Sequence, residues 1–264
     1  MKLITLLTDF GLRDGYSGVM KGVIYRITPD AKIADISHAI RPQDVREGSL
    51  VWFRSIPFFP PGTIHVGVVD PGVGTNRRPI AARLGEHYFV CPDNGLITPL
   101  LEQAEQAGEP VEIVHLDQPR FWLPEVSNVF HGRDIFSPVA AHLANGVALS
   151  ELGTPITDPV RLPLPRPKKT PDGLIAEIIS IDHFGNLSTN ITGEDLKSFK
   201  NFSVRVAGRE IPGLVKTFGE STNGALIALI DSDGNMAIAI VNGNAHQEIG
   251  AGVGDTVEII SKQD

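Results

Sequence analysis

The chain has 264 residues, 42% hydrophobic and 20% charged, which is enough to bury one large core or two smaller ones without covalent staples. Its 23 basic and 31 acidic side chains leave a formal charge of −8, an unfavourable balance for a nucleic-acid partner. The single cysteine, Cys91, excludes a disulfide framework and any cysteine-rich zinc or iron–sulfur site, and no run approaches the ~18 apolar residues that span a membrane.

The N-terminal apolar run is interrupted by Asp9, too early for a signal peptide, so the expected location is the cytoplasm. Leu3–Thr8 reads as a buried strand. Gly15–Ile27 has helical spacing and stops before Pro29. Lys32–Ile36 reads as a strand, and Val45–Ile56 as a helix ended by the Pro57–Gly62 turn. Ile64–Val69 reads as a strand running into Asp70-Pro71-Gly72. Ile80–Leu84 and Tyr88–Cys91 form a strand pair, followed by a helix over Leu96–Gln106, a strand over Val111–Leu116 and a helix over Ile135–Ala144. Strands alternating with helices predict an α/β domain around a mostly parallel sheet.

The texture then changes. Pro155, Pro159, Pro163, Pro165, Pro167 and Pro171 crowd a short stretch that reads as a semi-rigid linker. Beyond Gly173, short β-branched runs recur between turn residues: Leu174–Ile181, Phe202–Val206, Ala225–Leu229, Met236–Val241 and Thr256–Ile260. The expected organisation is an α/β domain over 1–160, a proline-rich linker over 161–172 and a smaller all-β, barrel-like domain over 173–264.

Four polar clusters fall at strand ends or in turns, where ligands bind in open α/β sheets. Thr8-Asp9-Phe10-Gly11 follows the first strand; Asp9 reads either as an acceptor for a vicinal diol or as a turn cap. Asp70-Pro71-Gly72-Val73-Gly74 is followed by Arg77, which is placed to fold back towards Asp70. The loop lacks the spacing and the lysine of a phosphate cradle. Phe130-His131-Gly132-Arg133-Asp134 opens a helix, with Asp134 suited to its start and His131 in a glycine-flanked turn. Asp182-His183-Phe184-Gly185-Asn186 suits either a turn that holds a planar ring or a capped hairpin.

Taken in order, these clusters resemble the S-adenosyl-L-methionine (SAM) hydroxide adenosyltransferases, relatives of the fluorinase and chlorinase. The resemblance also takes in Met20-Lys21-Gly22, Asp44–Gly48, Phe59–Thr63, Pro92–Gly95 and Asp231–Asn235, and so covers nearly the whole chain. It implies an α/β domain joined to a barrel-like one, and a homotrimer with SAM bound between the first domain of one subunit and the second domain of the next. It further implies attack of water or hydroxide on the 5′ carbon, releasing methionine and adenosine, with no metal or other cofactor. Asp70, Arg77 and His131 match the set that binds and polarises the water. Asp9 matches the carboxylate that holds the ribose hydroxyls, and Phe130 an aromatic beside the ribose. Asp182 matches the acid facing the methionine ammonium, Phe184 and Asn186 the adenine pocket, and Ser232 the holder of the methionine carboxylate. The halogenases carry tyrosine where Asp70 stands and lack the His131 pattern, which favours hydrolysis. The alternatives are a SAM-dependent halide transferase, a non-enzymatic SAM or adenosine-binding protein, and a metal-dependent hydrolase using Asp9, Asp70, Asp93 and His131.

Overall fold

The computed structural model describes residues 2–262, which divide into two compact units, 2–163 and 164–262. The first unit carries strands β1 (Leu3–Thr8), β2 (Lys32–Ser37), β3 (Ile64–Val68), β4 (Pro79–Leu84), β5 (His87–Pro92), β6 (Val111–His115) and β7 (Thr154–Pro155). Its helices are α1 (Tyr16–Ile27), α2 (Val45–Ser55), α3 (Thr98–Ala107) and α4 (Ser137–Ala144), with a π-helical turn over Gly132–Phe136 leading into α4.

The strand order is β2-β1-β3-β5-β4-β6-β7. The expectation of a mostly parallel sheet needs correcting, because the sheet is mixed. β2, β1, β3 and β5 are parallel, whereas β5–β4, β4–β6 and β6–β7 pair antiparallel. A parallel return needs a crossover of a dozen or more residues, and only a tight turn separates Leu84 from His87. β4 therefore begins at the edge where β1, β3 and β5 end, and so brings Arg77 to the carboxyl ends of the parallel strands.

Helices cover both faces. On one face Met20 and Ile24 of α1 and Val139 and Ala140 of α4 pack over Ile4, Leu6, Val66 and Val68. On the other, Trp52 of α2 and Leu100, Leu101 and Ala104 of α3 pack over Leu7, Ile80, Phe89 and Cys91. Alternation along β1 assigns Leu6 and Leu7 to opposite faces. α2 starts where Asp44 accepts a hydrogen bond from the Glu47 amide, and α3 ends on left-handed Gly108. Cys91 is a buried free thiol, its pKa pushed well up by burial. No helix among the described residues is long and apolar enough to cross a membrane.

Within the sheet, Thr5 Oγ1 lies 2.7 Å from His65 Nδ1, and His65 Nε2 lies 3.2 Å from His87 Nδ1. Burial, and then the neighbouring His87, lower the His65 pKa from 6.5 to about 3. Unfolding exposes a histidine that takes a proton near 6.5, so the stability held by neutral His65 is complete above that pH. It declines as pH falls towards 3. At pH 5 the expected loss is about 2 kcal/mol, from ~1.5 pKa units at ~1.36 kcal/mol each. Urea midpoints measured between pH 7.5 and 4.5 should show this slope, and the His65→Asn variant should show a flatter one.

The second unit is antiparallel and barrel-like. It comprises β8 (Lys168–Thr170), β9 (Gly173–Ile181), β10 (Leu187–Thr192), β11 (Phe202–Val206), β12 (Arg209–Ile211), β13 (Leu226–Ile230), β14 (Asn235–Ile240) and β15 (Thr256–Ser261), with short helices α5 (Gly193–Leu196) and α6 (Ala245–Ile249). The order is β12-β11-β15-β9-β10-β14-β13, with β8 added to β9, and β12 lies against β13. Its core comes from alternate residues such as Leu174, Ala176 and Ile178, or Met236, Ile238 and Ile240.

Candidate active site

Thr8 and Val68 are register partners on β1 and β3, so Asp9 and Asp70 emerge side by side from parallel strand ends. Both line a cavity of about 280 Å³, together with Phe10, Gln43, Val68, Pro71, Val73, Val129, Phe130, His131 and Gly132. This is the position that the topology of an open α/β sheet leaves for a ligand.

Arg77 folds back onto Asp70. Its Nε donates to Asp70 Oδ1 at 2.9 Å and Oδ2 at 3.0 Å, and Nη2 also donates to Oδ2. The Asp70 side chain is 4% exposed and that of Arg77 9%, so this pair is largely withdrawn from water. The Nη2 atom of Arg77 also lies 2.8 Å from His131 Nδ1. A guanidinium has only donors, so Nδ1 accepts, and the proton of a neutral ring is assigned to Nε2. Burial first, then the Arg77 charge, push the His131 pKa below its usual range, against smaller upward pulls from Asp70 and Asp134. His131 is therefore a neutral donor at neutral pH. Arg77 is not part of the cavity lining; it stands behind Asp70 and His131 and ties them together. Its Cζ also lies 5.3 Å from the Phe136 ring centroid, and Nη1 is buried without a hydrogen-bond partner among the described residues.

The loop geometry follows from local chemistry. Gly74, at φ +78, approaches the 127–130 segment so closely that a Cβ would lie 2.3 Å from the Asn128 carbonyl oxygen. Asp134 is fully buried and accepts from the Ser127 amide at 2.9 Å and from Arg133. Burial raises its pKa, but these hydrogen bonds win and hold the carboxyl below its usual range. Asp134 thus anchors the loop that presents Phe130 and His131. The Ser137 hydroxyl donates to the Gly132 carbonyl across the π-helical turn, a local form that recurs at functional sites. Phe10 and Phe130 form the aromatic wall of the cavity, and Tyr16 packs edge to face against both, with the three ring centroids 5.3–5.9 Å apart.

Asp182, Phe184, Asn186 and Ser232 lie in the second unit. Asp182 Oδ1 accepts from the Phe184 and Asn186 amides at 2.9 and 2.8 Å, and Oδ2 accepts from the Asn186 side chain at 2.7 Å. The carboxylate closes the β9–β10 turn, and Phe184 projects from it, 71% exposed. Ser232 sits in the β13–β14 turn, built to the same pattern: Asp231 Oδ1 accepts from the Asp233 and Asn235 amides. Both turns read Asp-x-x-Gly-Asn, with Gly185 at φ +86 and Gly234 at φ +82, an internal similarity that the sequence reading missed. Sequence reasoning also missed Gln43, which has no motif to mark it.

Among the described residues, no three His, Cys, Asp or Glu side chains are grouped so as to hold a metal ion. Asp9, Asp70 and His131 share the cavity; Asp93 does not line it and instead binds Arg78 and the Val160 amide.

Residues 4–153 match the family of the SAM hydroxide adenosyltransferase N-terminal domain, and residues 176–258 that of its C-terminal domain. The chain is 41% identical to a Salinispora tropica protein named (R)-S-adenosyl-L-methionine hydrolase, over 97% of each chain. It is 29% identical to an Actinoplanes sp. fluorinase, over 90% of each. The solved structure of an uncharacterized conserved protein from Thermotoga maritima superposes with a TM-score of 0.90 at 39% identity, covering 97% of this chain and 99% of that one. The chain belongs to the SAM hydroxide adenosyltransferase family.

Proposed function

We propose that the protein hydrolyses S-adenosyl-L-methionine to adenosine and L-methionine. The observation that carries this reading is the Asp70–Arg77–His131 set at a cavity that also holds Asp9 and an aromatic wall. A bond forms from the water oxygen to the 5′ carbon as the carbon–sulfur bond breaks, its electron pair returning to sulfur. Methionine leaves as a neutral thioether, so no general acid is required. What the site must supply is a water held in line and shielded from bulk solvent. His131 Nε2–H donates to that water, Asp70 accepts from it and takes the proton, and Arg77 fixes both partners. Asp9 receives the ribose hydroxyls and Phe130 packs beside the sugar.

A cavity of about 280 Å³ is at the small end for ligand sites and suits the ribose and its reacting carbon. In this proposal the remaining contacts come from a neighbouring subunit of a homotrimer: Phe184 and Asn186 for adenine, Asp182 and Ser232 for the methionine end. A sedimentation mass three times the 28.4 kDa of the chain is expected.

The reaction is proposed to need no metal. The test is chromatography of chelator-treated protein incubated with the (R) and (S) sulfonium epimers in halide-free buffer. Adenosine and methionine in equal amounts are expected, with the (R) epimer, for which the relatives are named, consumed faster. Product only after added chloride would instead indicate a halide transferase, and binding without turnover a sensor.

A further inference from the structure

We propose that Gln43 is a positioning residue for ribose recognition, acting through its backbone N–H on the Asp9 carboxylate. The inference rests on the reading of Asp9 as the acceptor of a vicinal diol. Gln43 N donates to Asp9 Oδ2 at 2.7 Å, and both residues line the cavity. The terminal torsion of an aspartate is soft, so a free carboxylate samples many planes. A diol presents two hydroxyl donors at fixed spacing and rewards one plane. A charge-assisted bond to Oδ2 selects that plane before a ligand arrives.

The donor is itself held in an unusual state. Gln43 has φ +67, a left-handed conformation that L side chains other than asparagine and aspartate rarely adopt. The surroundings impose it. The Asp44 amide donates to the Arg41 carbonyl at 3.0 Å, and the Val45 amide to the Gln43 carbonyl at 3.1 Å. The Arg41 guanidinium pairs with both Asp44 and Glu47, each at 2.9 Å, while Asp44 caps α2 through the Glu47 amide. A turn clamped from both sides keeps one residue strained, and that residue's N–H points at the carboxylate the site depends on. Strain retained at a cavity wall is the pattern expected of a positioning element.

The assignment makes backbone conformation, not the glutamine amide, the working feature. The test measures binding of adenosine and of 2′-deoxyadenosine to the full chain by calorimetry, in the wild type and in Gln43→Gly, Gln43→Ala and Gln43→Val. Glycine adopts the left-handed state freely and keeps the N–H, so Gln43→Gly should bind adenosine within about twofold of wild type. A β-branched residue resists that state, so Gln43→Val should bind adenosine about tenfold more weakly, the range expected for losing a hydrogen bond to a charged group. Its affinity for 2′-deoxyadenosine should change far less, so the preference for the intact diol collapses. Gln43→Ala should fall between the two. In turnover, Gln43→Val should raise KM and leave kcat within about twofold, and in an Asp9→Ala background it should add nothing.

A Gln43→Gly variant as impaired as Gln43→Val would assign the role to the side chain and overturn the proposal. So would a Gln43→Val variant that keeps the wild-type diol preference. A wild-type protein that binds both nucleosides equally would instead overturn the diol role of Asp9, and with it this assignment. The two failures are therefore separable.

Discussion

Replacing Arg77 with methionine is expected to lower turnover by about a hundred- to a thousandfold, the usual cost of removing one donor from a preorganised site. Adenosine affinity should stay within about threefold of wild type, because Arg77 stands behind the cavity wall and is not part of it. The substitution also strands Asp70, 4% exposed, without its counter-ion. Breaking a buried pair in this way costs about 3–5 kcal/mol, and urea unfolding should show it. The double variant Asp70→Asn/Arg77→Met removes the stranded charge and should recover much of that stability while turnover stays low. Together these measurements separate the structural share of the ion pair from its share in the chemistry. An Arg77→Met enzyme with wild-type kcat would remove Arg77 from the mechanism.

The second large effect concerns His131. His131→Asn keeps an acceptor within reach of Arg77 but loses the Nε2–H assigned to the water, and kcat should fall by about two to four orders of magnitude. The pH profile carries the sharper signature. Burial and Arg77 lower the imidazole pKa, and in the proposed mechanism the neutral ring is the working form, because Nδ1 accepts from Arg77. Activity should therefore hold as pH drops to the ordinary histidine value of about 6.5 and fall only below it. The residual activity of His131→Asn should lack that acid limb. A wild-type profile that needs protonated histidine, rising towards acid, would reverse the assignment.

Much of the first unit is legible in the sequence because its strands are continuous apolar runs bounded by turn residues. Leu3–Thr8 and Ile64–Val68 stand out for this reason, and α1 stands out because Met20, Val23 and Ile24 form its buried stripe. Strand direction is less visible, since it depends on what lies between strands rather than on the strands themselves. β10 is hidden for another reason. Its Ser188, Thr189 and Asn190 look like turn residues, yet they are satisfied within the sheet; the Thr189 hydroxyl donates to the Met236 carbonyl, and the Asn190 side chain accepts from the Glu177 amide. The helix expected over Ile135–Ala144 is regular only from Ser137, because the wider turn before it leaves no trace in periodicity. In the candidate site, Asp70 and Arg77 are legible as a turn with a returning cation. Gln43 is not, because a glutamine gives no local signal for a left-handed backbone.

The mixed sheet has a consequence for refolding. β4, β5 and β6 pair with neighbours close in sequence, whereas β1 must find β3 some sixty residues away. Arg77 and Asp70 lie seven residues apart and belong to the local half, whereas Asp9 follows β1 in the distant one, so the site is complete only when the long-range parallel pairing closes. Loop-closure entropy makes that the slow event. In a refolding experiment, recovery of adenosine release should coincide with the slowest phase, after hairpin structure has formed. A partly folded chain would then hold the Asp70–Arg77 pair without Asp9 beside it, and SAM would be safe from it until the last strand is in place.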